Sequence, residues 1–470
     1  MSTLATAAGK EWSVQPAAAS LIYDLTERFV SHSPFLLDLR DRLRNETGTR
    51  LIDWIDFIEL PVDEEMQSRL LVAGFEVGAL GRWRHPGGMF PEIRSRAAVT
   101  KEADGSASLE QADAICVLKV ESVIDFLDAH GVRDHGRVHG VPLGRVRWAT
   151  VSSEPGSGRA GWGRVEVRVM ERHDLRRFEA DESPVPAELV LEFAERFRLR
   201  RRDWPTDEEG FRELRHLLNE SSAAIGQGRT CDLFFAAERS YWQGRNRAAR
   251  VQKARQDALG LGWANHDHHT YRSSREHFSE LMFLFESIGF ECRERFYAGR
   301  EAGWGAQVLE HPGMGIVIFA DVDLSPDEVT TDFAHHPLPP RDDLGTIGLW
   351  CRLHGEAVLQ AGMHHLECQF DFTAAAEQLR AEQVGTMKPF TDLPYLRQAF
   401  TQGEIWPVSE ARVRALRAAN RITPEQAERF LSQGALGSHL EILQRDDGYK
   451  GFNQKGINEI ILGTDPRGAH

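Results

Sequence analysis

Cysteine is scarce in this chain. The five in 470 residues (Cys116, Cys231, Cys292, Cys351, Cys368) are scattered, odd in number, and never paired at CxxC spacing. That argues against both a disulfide framework and a cysteine-ligated zinc site. No apolar run approaches the roughly 20 residues needed to span a bilayer, so no membrane association is expected. The first ten residues hold no basic segment followed by an apolar one, so the expected location is cytoplasmic. Positive charge is also in deficit. A net charge of −15 repels polyanions, which removes nucleic acid and anionic lipid from the expected partners. The one basic run, Arg198 to Arg202 broken only by Leu199, reads as a solvated helix face or linker.

Histidine, by contrast, is plentiful and clustered. There are 19, and they gather as HDHH at 266–269, HH at 335–336 and HH at 364–365. The remaining composition, 41% hydrophobic and 27% charged, is that of an ordinary globular chain. Single cores stop growing near roughly 250–300 residues, so two or three domains are expected.

The patterning divides the chain into four parts and predicts an α+β fold. Residues 1–20, rich in Ala, Ser and Thr, are expected to be frayed. Residues 21–205 read as a mixed α+β domain of unassigned role. LIYDLTERFV and ESVIDFLDAH read there as helices, and RLLVAGFEVGAL, RVRWATVSS and WGRVEVRVM as strands. SSEPGSGRAGWG (152–163) reads as a hairpin loop, and KEADGSAS (101–108) as a polar connection. Residues 206–261 read as helices over 207–222 and 232–260, a linker or a wall of the next domain. From residue 262 to 470 the order is strand, helix and three strands. A second such pass starts near Gly362, beyond the Pro-rich stretch 335–343. This predicts a paired βαβββ domain in which two units close around a shared cavity.

Strand alternation places the histidines. Residues two apart share a face, so His266, His268, Thr270 and Arg272 share one. Leu366, Cys368 and Phe370 form an apolar face, leaving His365, Glu367 and Gln369 opposite. In the last strand Leu440 and Ile442 point to the core, and His439, Glu441 and Leu443 away from it. Closure of the units face to face would let these histidines and carboxylates converge. Two histidines and a carboxylate leave positions open at a metal, which suits non-heme Fe(II), with Mn, Zn or Ni as alternatives. Arg272 is placed to hold a substrate carboxylate through its planar fork. Trp304, Phe452 and Trp406 are candidates for an apolar shell, and WRHPGGMFPEI (83–93) for a capping loop.

The run Asp267-His268-His269-Thr270-Tyr271-Arg272-Ser273 resembles the first motif of the 2-oxoadipate dioxygenase/decarboxylase family, within the vicinal-oxygen-chelate superfamily. SIGFECRERFYAG and IVIFADVDLSPD continue the likeness. His364-His365-Leu366-Glu367 matches a second motif loosely. His439-Leu440-Glu441-Ile442-Leu443-Gln444-Arg445, followed by Gly451, Phe452 and the helix-like INEIIL, matches the last. The resemblance covers residues 262–467 only. It implies His268, His365 and Glu441 as metal ligands and Arg272 as the carboxylate anchor. His364 is an alternative second ligand, set aside because it shares the apolar face of Leu366. The implied activity is an Fe(II)- and O₂-dependent oxidation of a 2-oxo acid with loss of CO₂, as from 2-oxoadipate to 2-hydroxyglutarate. A redox-neutral metal-dependent isomerase, lyase or hydrolase, or a non-catalytic small-molecule-binding protein, are the alternatives.

Overall fold

The computed structural model describes residues 12–96, 112–132, 138–155, 162–173, 185–389, 391, 393–452 and 463–468. The first half runs α1 (Pro16–His32), α2 (Pro34–Arg42), β1 (Ile55–Pro61), α3 (Glu64–Val72), β2 (Glu76–Val77), β3 (Arg82–Arg84), β4 (Glu92–Arg96), β5 (Ala114–Lys119), α4 (Val123–Ala129), β6 (Val146–Pro155) and β7 (Arg164–Arg172). Helices α5 (Ala187–Arg198), α6 (Asp207–Ile225), α7 (Gln227–Gly244) and α8 (Arg247–Asp257) follow. The second half runs β8 (His266–Arg272), α9 (Phe278–Ser287), β9 (Glu291–Tyr297), β10 (Trp304–Glu310), β11 (Val317–Asp323), α10 (Thr346–His354), β12 (His365–Gln369), α11 (Phe372–Ala381), β13 (Leu396–Phe400), β14 (Glu404–Trp406), α12 (Glu410–Ala418), α13 (Pro424–Gln433) and β15 (Ala435–Arg445).

The expected α+β fold holds, and the second half is the expected pair of βαβββ units. They do not close face to face. They join edge to edge through the antiparallel pair β8–β12, giving one sheet in the order β13-β15-β12-β8-β11-β10-β9, with β14 on β15. Edge joining puts the first strand of each unit side by side, so their side chains meet without any closure.

The first half repeats this plan. Its sheet has the order β2-β3-β4-β1-β5-β7-β6, which is the second sheet's order element for element. β1–β4 and β5–β7 are parallel, as are β8–β11 and β12–β15, and β1–β5 is antiparallel like β8–β12. The domain of unassigned role is therefore a second sheet of the same plan, a βαβββ unit (β1 to β4) joined to a βαββ unit (β5 to β7) among the described residues. One sequence reading hid it. RLLVAGFEVGAL, expected as a strand, is mostly helix and turn: Asp63 caps α3 by accepting from the Met66 amide, and Met66 and Leu70 bury one face. Only Glu76–Val77 remain extended.

Two cores follow. Leu25, Phe29, Trp54, Ile58 and Val167 lie in the first, which also takes Leu259 and Leu261 from the chain after α8. Phe193, Phe197, Phe211, Phe234 and Trp242 of α5–α7 pack with Tyr271, Ile318, Leu366 and Leu440 in the second. The helices before β8 thus wall the second sheet. The single helix expected over 232–260 breaks at Asn246, whose side chain caps α8 and donates to Ser438 Oγ at 2.8 Å. The frayed segment expected over 1–20 falls partly outside the described residues, and from Pro16 it is helix. KEADGSAS, residues 156–161 of the hairpin loop, and INEIIL also lie outside them.

The basic run is not solvated throughout. Arg200 and Arg202 turn inward onto Glu238, which is fully buried, and donate to the carbonyls of Val358 and Leu359. A buried carboxylate needs such partners, and these arginines supply them.

Candidate metal centre

Pairing of β12 on β8 and of β15 on β12 sets three ligand-type residues side by side. Glu367 is opposite both His268 and Glu441, and His365 is opposite Thr270 and His439. Leu366, Cys368, Leu440 and Ile442 face the helices, fully buried in the second core. The other face carries His268, His365 and Glu441, with one candidate ligand atom of each lying within 4.8 Å of the others.

The surroundings orient these groups. His365 Nε2 lies 3.1 Å from Glu441 Oε2 and 2.8 Å from Thr270 Oγ1, while its Nδ1 lies 2.9 Å from His364 Nδ1. His268 Nδ1 lies 2.8 Å from Glu367 Oε1, leaving Nε2 for a ligand. Gln398 on β13 donates to both Glu367 and Glu441, at 3.0 and 3.3 Å. Arg445 pairs with Asp267 at 3.1 Å and approaches Glu367 at 3.6 Å. Groups of this kind fix ring orientation and ligand basicity at metal sites. Phe319, Phe400 and Phe452 surround the histidines, with Phe319 4.5 Å from the His268 ring and Phe400 5.0 Å from His365.

Charge shows what the site suits. Burial, with the charge of Glu441 next, pushes the Glu367 carboxyl up, and burial does the same to Glu441. Burial opposes a charge on His268, yet Glu367 and Asp267 hold its pKa up to about 10. Burial holds His365 neutral, well below the usual histidine range. Three buried carboxylates (Asp267, Glu367, Glu441) thus face one buried arginine; the raised Glu367 and Glu441 carboxyls take up part of the excess by protonation, and a proton on His268 offsets more. A divalent cation would replace that proton and balance the remainder, so the donor set fits a metal with two imidazoles and one carboxylate. Three protein ligands leave positions open for a substrate.

Arg272 is buried four residues beyond His268. Its Nη2 donates to Thr464 at 3.3 Å, and among the described residues Nε and Nη1 have no hydrogen-bond partner. Burial lowers its pKa to about 10, and Trp350 stacks 5.6 Å away. An unsatisfied buried guanidinium is costly unless something occupies its fork.

The other expectations divide. Phe452 sits beside His268, while Trp304 packs one layer out against Phe296. Trp406 is not part of the shell. It lies among Trp350, His354 and Arg245 in the helix-side core, over Gly437, where a Cβ would fall 2.0 Å from its ring. The loop within WRHPGGMFPEI reaches the turn after β15, with Met89 donating to the Gly448 carbonyl. His364 stands behind His365. Sequence reasoning noted Glu367 only as sharing a face and missed Gln398. Alternation marks Glu367, but nothing local marks Gln398, which reaches the site only through β13–β15 pairing.

The first sheet shows what happens to these positions in the other copy. Arg172 pairs with Asp56 where Arg445 pairs with Asp267. Counting from that pair, Phe57 takes the place of His268. Phe57 is opposite Val117 as His268 is opposite Glu367, and Val117 is opposite Arg168 as Glu367 is opposite Glu441. Ile115 and Arg168 therefore stand where His365 and Glu441 do. The ligand set belongs to one sheet, whereas the acid–arginine pair is kept in both.

No protein-family model matches the chain, and no curated protein matches it. Solved structures that match include a variant of 4-hydroxymandelate synthase from Streptomyces coelicolor, 13% identical, over 88% of this chain and 98% of that one, with a TM-score of 0.25. Hydroxyglutarate synthase from Pseudomonas putida is 14% identical over 57% of this chain and 67% of that one, TM-score 0.23. Methylmalonyl-CoA epimerase from Mycobacterium tuberculosis is 13% identical over 39% of this chain and 88% of that one, TM-score 0.23. Among the described residues, no helix is long and apolar enough to cross a membrane.

Proposed function

We propose that this protein is a metal-dependent enzyme that acts on a small carboxylate, as an Fe(II)-dependent 2-oxo-acid dioxygenase/decarboxylase using O₂. The observation that carries the reading is the buried group His268, His365 and Glu441, with open positions and the unfilled guanidinium of Arg272 on the same strand. The motif resemblance across residues 262–467 supports the 2-oxo acid as substrate class. His268, His365 and Glu441 would hold the metal. When bound, it would supply a template for chelation and activation of O₂.

The chain's own residues do the rest. Arg272 offers two N–H groups to a carboxylate oxygen pair and neutralises it where water is excluded. Glu367 and Gln398 keep His268 and Glu441 in place. Phe319, Phe400 and Phe452 keep solvent from the reacting atoms.

The test is oxygen uptake by Fe(II)-loaded protein across a panel of 2-oxo acids that includes 2-oxoadipate. Uptake matched by CO₂ release is expected with at least one acid. Turnover of a substrate under nitrogen with Zn(II) in place of iron would overturn the dioxygenase reading in favour of redox-neutral chemistry.

A further inference from the structure

A cleft of about 1370 Å³ separates the two sheets, lined by both halves and apart from His268, His365 and Glu441. Its inner wall is built from the end of β5, α7 and the start of β8. Most charges on that wall have a partner of opposite sign, and Arg50 and Lys253 each hold two carboxylates. Asp56 holds Arg172, Asp267 holds Arg445, and Asp53 holds Arg50. Asp232 lies between His173 at 3.2 Å and Arg229 at 3.6 Å, and Glu121 holds Lys253 at 3.0 Å.

Two cations are left over. Among the described residues, no carboxylate lies within 4.0 Å of Lys119 or Arg239, both of which line the cleft. Arg239 is 8% exposed; it donates to His269 Nε2 at 3.3 Å, and its Nε has no partner. Burial lowers the pKa of Lys119 by more than the charges of Asp56, Asp53 and Asp267, each already paired with an arginine, raise it, so its positive charge is costly as it stands. His266, on the same wall, is held neutral by burial and by the charge of Arg239. A folded chain rarely keeps two unmatched cations against one cavity unless an anion enters it.

We propose that this wall is a binding site for a small oxyanion, a carboxylate or phosphate group, held between Lys119 and Arg239. The site uses none of the three candidate metal ligands and takes no part in the reaction assigned to them, although Asp267, Arg445 and Phe452 beside that centre also line the cleft. It nevertheless touches that centre's scaffold, because Arg239 bonds to His269, the chain neighbour of His268.

Isothermal titration of the full chain with inorganic phosphate and, separately, succinate, at constant ionic strength set with NaCl, tests the site. Saturable binding of at least one is expected. Phosphate alone would indicate a phosphorylated ligand, and succinate alone a carboxylic acid. Lys119→Met and Arg239→Gln should each weaken binding at least tenfold, while saturable binding persists in Arg272→Met. Without oxyanion, Lys119→Met should melt at or above the wild-type temperature, because it removes an unmatched buried charge. The proposal is overturned if neither anion binds saturably, if Lys119→Met binds like wild type, or if Arg272→Met alone abolishes binding.

Discussion

Nε2 of His365 lies 3.1 Å from Oε2 of Glu441 across two adjacent parallel strands, β12 and β15. Glu441 sits opposite Glu367, two residues beyond His365, so an imidazole and a carboxylate from different strands reach one point. His268 reaches it from the third strand. This contact makes the group testable one residue at a time.

Replacing His268 or Glu441 by Ala should remove the metal and leave the fold. Retained metal, measured by elemental analysis after gel filtration, should fall at least about tenfold, since even losing a group that only orients a ligand costs about 10–100-fold. Glu367→Gln should weaken metal binding less than either. Wild-type metal content in Glu441→Ala would remove it from the ligand set.

Arg272→Lys keeps the charge and loses the planar fork. Substrate binding should weaken by one to two orders of magnitude while metal content stays at the wild-type level, read by titration of the metal-loaded protein. Equal loss of both would make Arg272 a structural residue.

The repeated acid–arginine pairs predict an asymmetry. Arg445→Met breaks a buried pair and should destabilise by about 3–5 kcal/mol in urea unfolding, whereas Arg172→Met breaks a partly exposed one and should cost less. Only Arg445→Met should also lower metal affinity, because only its carboxylates reach a ligand, through Asp267, Glu367 and His268. Equal metal loss in both variants would contradict the assignment of the site to one sheet.

His354 should contribute to acid sensitivity. Burial lowers its pKa to about 3, and its Nε2 is held by the Leu436 carbonyl at 3.0 Å. The folded pKa lies below the unfolded value of about 6.5, so this stability is present above pH 6.5 and lost as pH falls toward 3. The full contribution is on the order of 5 kcal/mol, at about 1.4 kcal/mol per pKa unit. His354→Gln should flatten the melting temperature against pH between 6.5 and 4, and an unchanged slope would place the sensitivity elsewhere.

Much of the second half was legible because its strands alternate. Leu366, Cys368, Leu440 and Ile442 mark the buried face, and that alone turns His365 and Glu441 the other way. Period-two alternation is a local property, so it survives without knowledge of the partners. The break at Asn246 and the helix at 64–72 were misread because cap chemistry overrode a continuous apolar pattern.

The sequence by itself determined the strand–helix start of each unit in residues 262–470, the faces of their strands, and which residue types could meet a metal, but not the helices α10, α12 and α13. The tertiary structure alone decided that the units join through β8–β12, that Gln398 and Arg445 reach the ligands, and that residues 55–172 repeat the same sheet with Phe57, Ile115 and Arg168 in the ligand places. Pairing of distant strands is set by register and by burial summed over a whole sheet. Two sheets can therefore share one topology while keeping in common little more than one acid–arginine pair.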